Sequence, residues 1–143
     1  MIKARKLTKR FGKVEALLNL NCNIPQGCIY GLVGANGAGK STFLRLCNGI
    51  YQPDEGHISI NGGEVFDNPD VKQHCVFVPD ELYFLPQSNL NRMALLYESM
   101  YPHFSMERFA ELSGVFKLDR ARQLSTFSKG MRRQAATILA LSA

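Results

Sequence analysis

An α/β fold is predicted for the 143-residue chain: a mixed sheet around one central helix, followed by a small helical subdomain. Three observations predict it. First, the short apolar run Cys28-Ile-Tyr-Gly-Leu-Val33 reads as a buried strand, and a glycine-rich loop joins it to a helix-like Thr42-Phe-Leu-Arg-Leu-Cys47 that stops near Gly49. Second, Leu18, Leu20, Cys22 and Ile24 alternate with Asn19, Asn21 and Asn23, the period of two of a half-buried strand. Third, from Ser88 onward the apolar spacing becomes helical, through Leu90, Met93, Ala94, Tyr97 and Met100.

Taken in order, Ile2 to Phe11 reads as a first strand with a basic face, turned by Gly12-Lys13. The alternating strand follows, then a turn at Pro25-Gln-Gly27 and the buried run. Two antiparallel-looking strands feeding a buried one suggest a mixed sheet. Beyond the central helix, Gln52-Pro-Asp-Glu-Gly56 is a turn cluster, His57-Ile-Ser-Ile-Asn61 a short strand, and Asn61-Gly62-Gly63 its turn. Asp67-Asn-Pro-Asp70 can start a brief helix, and Cys75-Val-Phe-Val78 is a second buried strand ended by Pro79. Ser105 is an N-cap candidate for a helix through Met106, Phe109 and Ala110. A last helix starts near Ser128 and runs through Met131, Ala135, Ile138 and Leu139. The Met and aromatic stripes of these helices are expected to face a core.

Composition excludes several classes. At 45% hydrophobic and 20% charged, the chain can build a core and is not a disordered tail. The net charge of +5 comes from basic residues spread along the chain, and no nucleic-acid module accompanies them, so no nucleic acid is expected as a partner. Cys22, Cys28, Cys47 and Cys75 form no C-x-x-C, and His57, His74 and His103 show no ligand spacing. The cysteines are expected as buried small hydrophobes, which fits a reducing compartment. No apolar stretch reaches the length of a spanning helix, and no h-region follows the basic start.

The loop carries the chemistry. Gly34-Ala-Asn-Gly-Ala-Gly-Lys-Ser-Thr42 fits G-x-x-x-x-G-K-[ST], with Gly34, Gly39, Lys40 and Ser41 on the fixed positions and Asn36 and Gly37 between them. Glycines let backbone N–H groups approach phosphate oxygens with no Cβ in the way. Lys40 can reach the β- and γ-phosphates, the Ser41 hydroxyl can hold a magnesium ion, and the following helix N-terminus favours negative charge. A strand before the loop and a helix after it are the context the pattern needs. The chain therefore reads as a P-loop NTPase that binds a nucleoside triphosphate, or descends from one that did. A GTPase would add an Asn-Lys-x-Asp guanine reader, and a chromosome-maintenance ATPase would add coiled-coil heptads; the sequence has neither.

The order of motifs resembles the nucleotide-binding subunit of ATP-binding cassette (ABC) transporters, over the whole chain. Within that family it looks closest to a bacterial branch with a Phe-Ser-Lys-Gly-Met signature, here Phe127 to Met131. The resemblance implies that Phe11 is the aromatic that stacks on adenine; the bland reading is a strand-end phenylalanine in the core. It implies that Lys40, Ser41 and Thr42 hold the phosphates and metal of MgATP. Phe77-Val-Pro-Asp80 resembles the strand end leading to a metal-sensing loop, where the family commonly has Gln and this chain has Asp80. A carboxylate is a hard oxygen ligand that suits magnesium, so Ser41 and Asp80 are the implied metal residues, a solvated loop acid being the alternative for Asp80. Glu81 to Gln87 resembles the surface that meets a transporter's coupling helix. Ser128, Lys129, Gly130 and Met131 match the family signature at Ser128 and Gly130 and depart from it at Lys129 and Met131; in the family this helix start faces the γ-phosphate held by a second subunit.

The organisation then implied is a nucleotide-binding core over 1–87, a helical subdomain over 88–127 and a signature helix over 128–143. The partners implied are a second ATPase subunit, head to tail, and a separate transmembrane subunit; the location implied is cytoplasmic, peripheral at the inner face of the cell membrane. In the family the next elements are the Walker B strand, the catalytic Glu, the D-loop and the switch His. None is within these residues, so the fold is expected to be incomplete at the C-terminus, with no catalytic residue assigned. The chain by itself is expected to bind ATP weakly or not at all, to hydrolyse none at a useful rate, and to self-associate or lose order near the gap. The rival reading is a nucleotide-responsive regulatory or interaction module without hydrolysis.

Overall fold

The computed structural model describes residues 1–143. The chain packs as two compact units, 1–75 and 76–143. Each unit has its own apolar core.

In the first unit, β1 (Ile2–Phe11) and β2 (Val14–Ile24) form a hairpin closed by Gly12-Lys13. β3 (Glu55–Ile60) pairs with the other edge of β1, and the two-residue β4 (Gly63–Glu64) pairs with β3. The sheet order is β2-β1-β3-β4, and every pairing is antiparallel. β1 lies between β2 and β3 with Ala4 and Leu7 buried, and its Arg10 meets Glu15 of β2 at 3.3 Å and Glu55 of β3 at 2.6 Å. Ala4, Leu7, Ile24 and Ile58 of the sheet pack with Phe43, Leu46 and Cys47 of α1 (Lys40–Cys47) and with Val65. α2 (Pro69–Lys72) is one turn, capped by Asn68, whose Oδ1 accepts from the Val71 N–H at 3.3 Å.

Two sequence expectations for the sheet change. Cys28–Val33 and Cys75–Val78 form no strand, so the sheet is antiparallel rather than mixed. A strand covered on both faces needs ladder partners and two packing layers. Residues 1–143 supply neither to Cys28–Val33: Ile29 and Val33 stand essentially fully exposed. The strict alternation in β2 also breaks. Leu7 pairs with Leu20 and Lys9 with Leu17, and between them Asn19 adopts φ 51° while its N–H donates to Thr8 Oγ1 at 3.1 Å. This bulge advances the strand by one residue, so Leu17 packs inward and Leu18 points out.

The second unit is helical: α3 (Leu90–Met100), α4 (Met106–Val115), a 3-10 turn at Leu124–Thr126 and α5 (Lys129–Ser142). Each α-helix starts at a side-chain cap. Asn89, Ser105 and Ser128 accept from the N–H groups of Arg92, Arg108 and Met131. Leu90, Met93, Ala94, Phe109, Ala135, Ile138 and Leu139 fill the core, closed below by Leu118, Leu124 and Phe127. The expected stripe runs one residue too far at its ends: Met100 is exposed where α3 ends, and Met106 and Ala110 lie on the outer side of α4.

Candidate functional site

The phosphate-loop pattern, Gly34 to Thr42, lies wholly in the first unit. Asn36 and Gly37 turn the loop, Gly37 at φ 84° and Gly39 at φ 83°, a backbone region that costs other residues energy. Gly39 has a second constraint. A Cβ there would strike the Ala16 carbonyl oxygen and lie 2.7 Å from Leu17 Cδ2. The loop is thus pressed against β2 just where α1 begins. Lys40 folds back, and its Nζ donates to the carbonyls of Gly34 and Ala35 at 2.7 Å each. No acidic residue stands in the first turn of α1 and no side chain caps it, so its N–H groups and dipole are left for an anion. Ser41 is exposed in that turn and Thr42 half-buried. Beside the loop runs a groove of about 220 Å³, walled by Leu17, Leu20, Tyr30, Leu32, Val33 and Phe43.

Phe11 closes β1 and is 44% exposed, so it is not a core residue. Tyr51 meets it edge-on at 5.3 Å, and the Lys9 ammonium lies 5.6 Å from its centroid. Arg45 of α1 in turn lies over Tyr51 at 5.9 Å. Sequence reasoning missed Tyr51 and Arg45. Neither lies in a motif, and only folding brings them to the end of β1.

The other predicted residues belong to the second unit. Ser128 caps α5 at 3.3 Å from the Met131 N–H, with Lys129 and Gly130 exposed beside it. A Cβ on Gly130 would meet nothing nearer than Ser128 Oγ at 3.9 Å, so no packing within the chain requires glycine there. Asp80 presents a carboxylate that is 94% exposed. Its backbone, however, is held. Arg133 donates from Nη1 to the Pro79 carbonyl at 2.8 Å and from Nη2 to the Asp80 carbonyl at 3.2 Å, while Arg132 donates to the Leu82 carbonyl at 3.3 Å. These two arginines border a groove of about 480 Å³ between the start of α5 and Asp80–Leu82. The sequence marks them only as basic residues after the signature.

Cys47 is buried, and burial pushes its thiol up to about 12, with smaller contributions from Cys22 and Cys75. Cys22 and Cys75 are half-buried, whereas Cys28 is exposed, against expectation, because the run it begins finds no sheet partner. No three His, Cys, Asp or Glu side chains converge as a metal cluster, and no helix is long and apolar enough to cross a membrane.

The family profile described as ABC transporter matches residues 17–143. The chain belongs to the ABC transporter family. Among curated members, this ABC chain is 29% identical over 143 residues to the ABC transporter ATP-binding protein YtrB of Bacillus subtilis, covering 100% of itself and 49% of YtrB. It is 34% identical over 140 residues to the daunorubicin/doxorubicin resistance ATP-binding protein DrrA of Streptomyces peucetius, covering 93% of itself and 42% of that protein. The chain thus spans about half or less of these relatives. Its fold matches a dimeric ATP-binding cassette solved in a post-hydrolysis state with ADP and Pi, at TM-score 0.80 and 25% identity over 99% of this chain and 69% of that one. An ATP-binding subunit of an ABC transporter shares the fold at TM-score 0.86 and 24% identity, over 97% of this chain and 60% of that one. The α/β P-loop NTPase fold with a helical subdomain, and the family, are as the motifs implied.

Proposed function

We propose that residues 1–143 carry the nucleotide-binding half of an ABC-type ATPase subunit that, as the intact protein, hydrolyses MgATP to drive a membrane partner. The observation that carries this reading is the loop itself. Gly37 and Gly39 in left-handed backbone, an uncapped helix N-terminus and the Lys40 ammonium drawn onto two loop carbonyls make a basic cradle with N–H groups on its rim. A triphosphate would replace those carbonyls as the partner of Lys40. Gly34, Asn36, Gly37, Gly39, Lys40, Ser41 and Thr42 wrap the phosphates, and Phe11, braced by Tyr51, offers an exposed face to the adenine.

Magnesium fits the donor chemistry. The Ser41 hydroxyl at the start of α1 is a hard oxygen donor, and when bound the ion supplies charge neutralisation of the phosphates. Asp80, in the second unit, is proposed as a metal residue on its carboxylate chemistry alone. Ser128, Lys129, Gly130 and Met131 offer the N-terminus of α5 to the γ-phosphate of a second subunit bound head to tail, and Glu81 to Gln87 faces a transmembrane subunit at the inner membrane face. Relatives named as ATP-binding proteins and a dimeric neighbour with ADP and Pi support this reading.

We assign binding, and no catalytic group, to residues 1–143. Binding is weak in this chain because Cys28–Val33, which leads into the loop, has no ladder to hold it. Calorimetry with MgATP on the chain and on Lys40→Ala tests the assignment. Measurable affinity lost by at least about tenfold in the variant is expected, since a charge-assisted contact contributes about 1.5–3 kcal/mol. Equal binding by both proteins overturns the assignment, and hydrolysis abolished by Lys40→Ala overturns the absence of a catalytic group.

A further inference from the structure

The turn cluster Gln52-Pro-Asp-Glu-Gly56 has no part in the phosphate loop, yet it folds against the end of β1. The ladder between β1 and β3 runs no further along β1 than Thr8, which pairs with Glu55, so Lys9, Arg10 and Phe11 overhang β3. Asp54 takes the place of a strand there. Its N–H donates to the Thr8 carbonyl at 3.0 Å, and its carboxylate accepts from the Arg10 N–H and, at 2.9 Å, from the Lys9 Nζ. These donors, the Arg10 N–H foremost, hold the Asp54 carboxyl below the usual carboxylate range, so it is ionised at neutral pH. The turn that presents it is constrained on both sides. Pro53 precedes Asp54, and at Gly56, φ 76°, a Cβ would strike the carbonyl oxygens of Arg5 and Lys6.

Both carboxylate bonds bear on Phe11. Lys9, held by Asp54, stands with its ammonium 5.6 Å from the Phe11 centroid, and the Arg10 peptide leads directly into Phe11. Glu55 holds only the tip of the Arg10 side chain, at 2.6 Å from Nη1. We propose that Asp54 is a positioning residue of the base site: it fixes the main chain before Phe11 and the cation over its ring, so that a base stacks on a ring already in place. The proposal rests on the stacking role given to Phe11 above, and all of its residues belong to the unit that carries the phosphate loop. The physical ground is preorganisation. An aromatic ring on an untied strand end samples several orientations, and a stacked base then bears the cost of ordering it. The effect is confined to ligands that carry a base, since the loop meets the phosphates.

Calorimetry with two ligands, MgATP and magnesium tripolyphosphate, separates base from phosphate. Phe11→Ala is expected to weaken MgATP binding by about tenfold, the contribution of one aromatic–base stack, and to leave tripolyphosphate unchanged. Asp54→Ala is expected to weaken MgATP by about fivefold with tripolyphosphate again unchanged, and Asp54→Asn, which keeps an acceptor for the Arg10 N–H, by about twofold. The double variant Phe11→Ala/Asp54→Ala should bind like Phe11→Ala, because Asp54 acts through the ring. Glu64→Gln, which breaks the pair with His57 on the same sheet, should change neither ligand. Losses that add in the double variant, or an equal loss of both ligands in Asp54→Ala, overturn the positioning role.

The order of the ring can also be read with no nucleotide present. The chain has no tryptophan, so Phe11→Trp installs a single indole at the site. In that background Asp54→Ala is expected to lower the fluorescence anisotropy and to raise acrylamide quenching about twofold, with Asp54→Asn between. Unchanged anisotropy and quenching overturn the proposal whatever the affinities show. A held indole together with MgATP affinity that Phe11→Ala leaves intact overturns the base role of Phe11, and with it this use of Asp54. Failure of the phosphate-loop reading has a different sign: no binding of either ligand, or binding that Lys40→Ala leaves intact. The indole signal then still decides whether Asp54 holds the ring.

Discussion

Gly39→Ala should damage this protein more than Gly37→Ala, because the space around the two glycines differs. Both glycines have φ near 84°, so an alanine at either pays about 1–2 kcal/mol for left-handed backbone. At Gly37 the added methyl meets nothing within 4 Å, and the cost stops there. At Gly39 it meets the Ala16 carbonyl oxygen and Leu17 Cδ2 at 2.7 Å. Leu17 can rotate, but the carbonyl belongs to β2 and cannot move without parting the hairpin, which adds an overpacking cost of about 1–3 kcal/mol. Urea unfolding followed by far-UV circular dichroism measures both variants under identical conditions. Gly39→Ala is expected to lose about 1–3 kcal/mol more than Gly37→Ala, with a parallel loss of MgATP affinity. Equal destabilisation of the two, within about 0.5 kcal/mol, would refute the close approach of the loop to β2.

Ser128→Ala should cost about 1 kcal/mol in urea unfolding through loss of the α5 cap, and Ser128→Asp should restore most of it; equal loss in both would deny Ser128 its capping role. The Cys47 thiol, raised by burial from 9.0 to about 12, sets an alkaline limit. Its folded pKa lies above its unfolded one, so its contribution is complete below about pH 9 and falls as pH rises toward 12, when the unfolded thiol ionises and the buried one resists. Cys47→Ala should flatten the fall in thermal midpoint over that range, and an unaltered slope would count against it. A thiol reagent at neutral pH should label the exposed Cys28 quickly and Cys47 only after unfolding.

Local chemistry made much of the chain readable. β1 matches its sequence bounds, and α1 starts within the loop motif at Lys40. Ser105 and Ser128 cap helices because a short hydroxyl before an apolar-periodic run satisfies the first free N–H groups, a matter of a few residues. The phosphate loop is likewise a local object. Its glycines, lysine and following helix are contiguous, so its geometry follows from the order of residues.

What the sequence could not carry was pairing. Cys28–Val33 and Cys75–Val78 have the composition of buried strands, but composition states a preference and a ladder needs a neighbour. Within residues 1–143 that neighbour is not found, and the antiparallel sheet forms without them. The bulge at Asn19, which exchanges Leu17 for Leu18, depends on how Thr8 of β1 stands against it. The same holds for function. By itself the sequence determined the family, the phosphate cradle and the candidate residues, because those lie in short motifs with fixed spacing. Only the tertiary structure decided that Tyr51 braces Phe11, that β2 forbids a side chain at Gly39, and that Arg132 and Arg133 reach back some fifty residues to the backbone beside Asp80. Those contacts join side chains far apart in the chain, and no short-range periodicity records them.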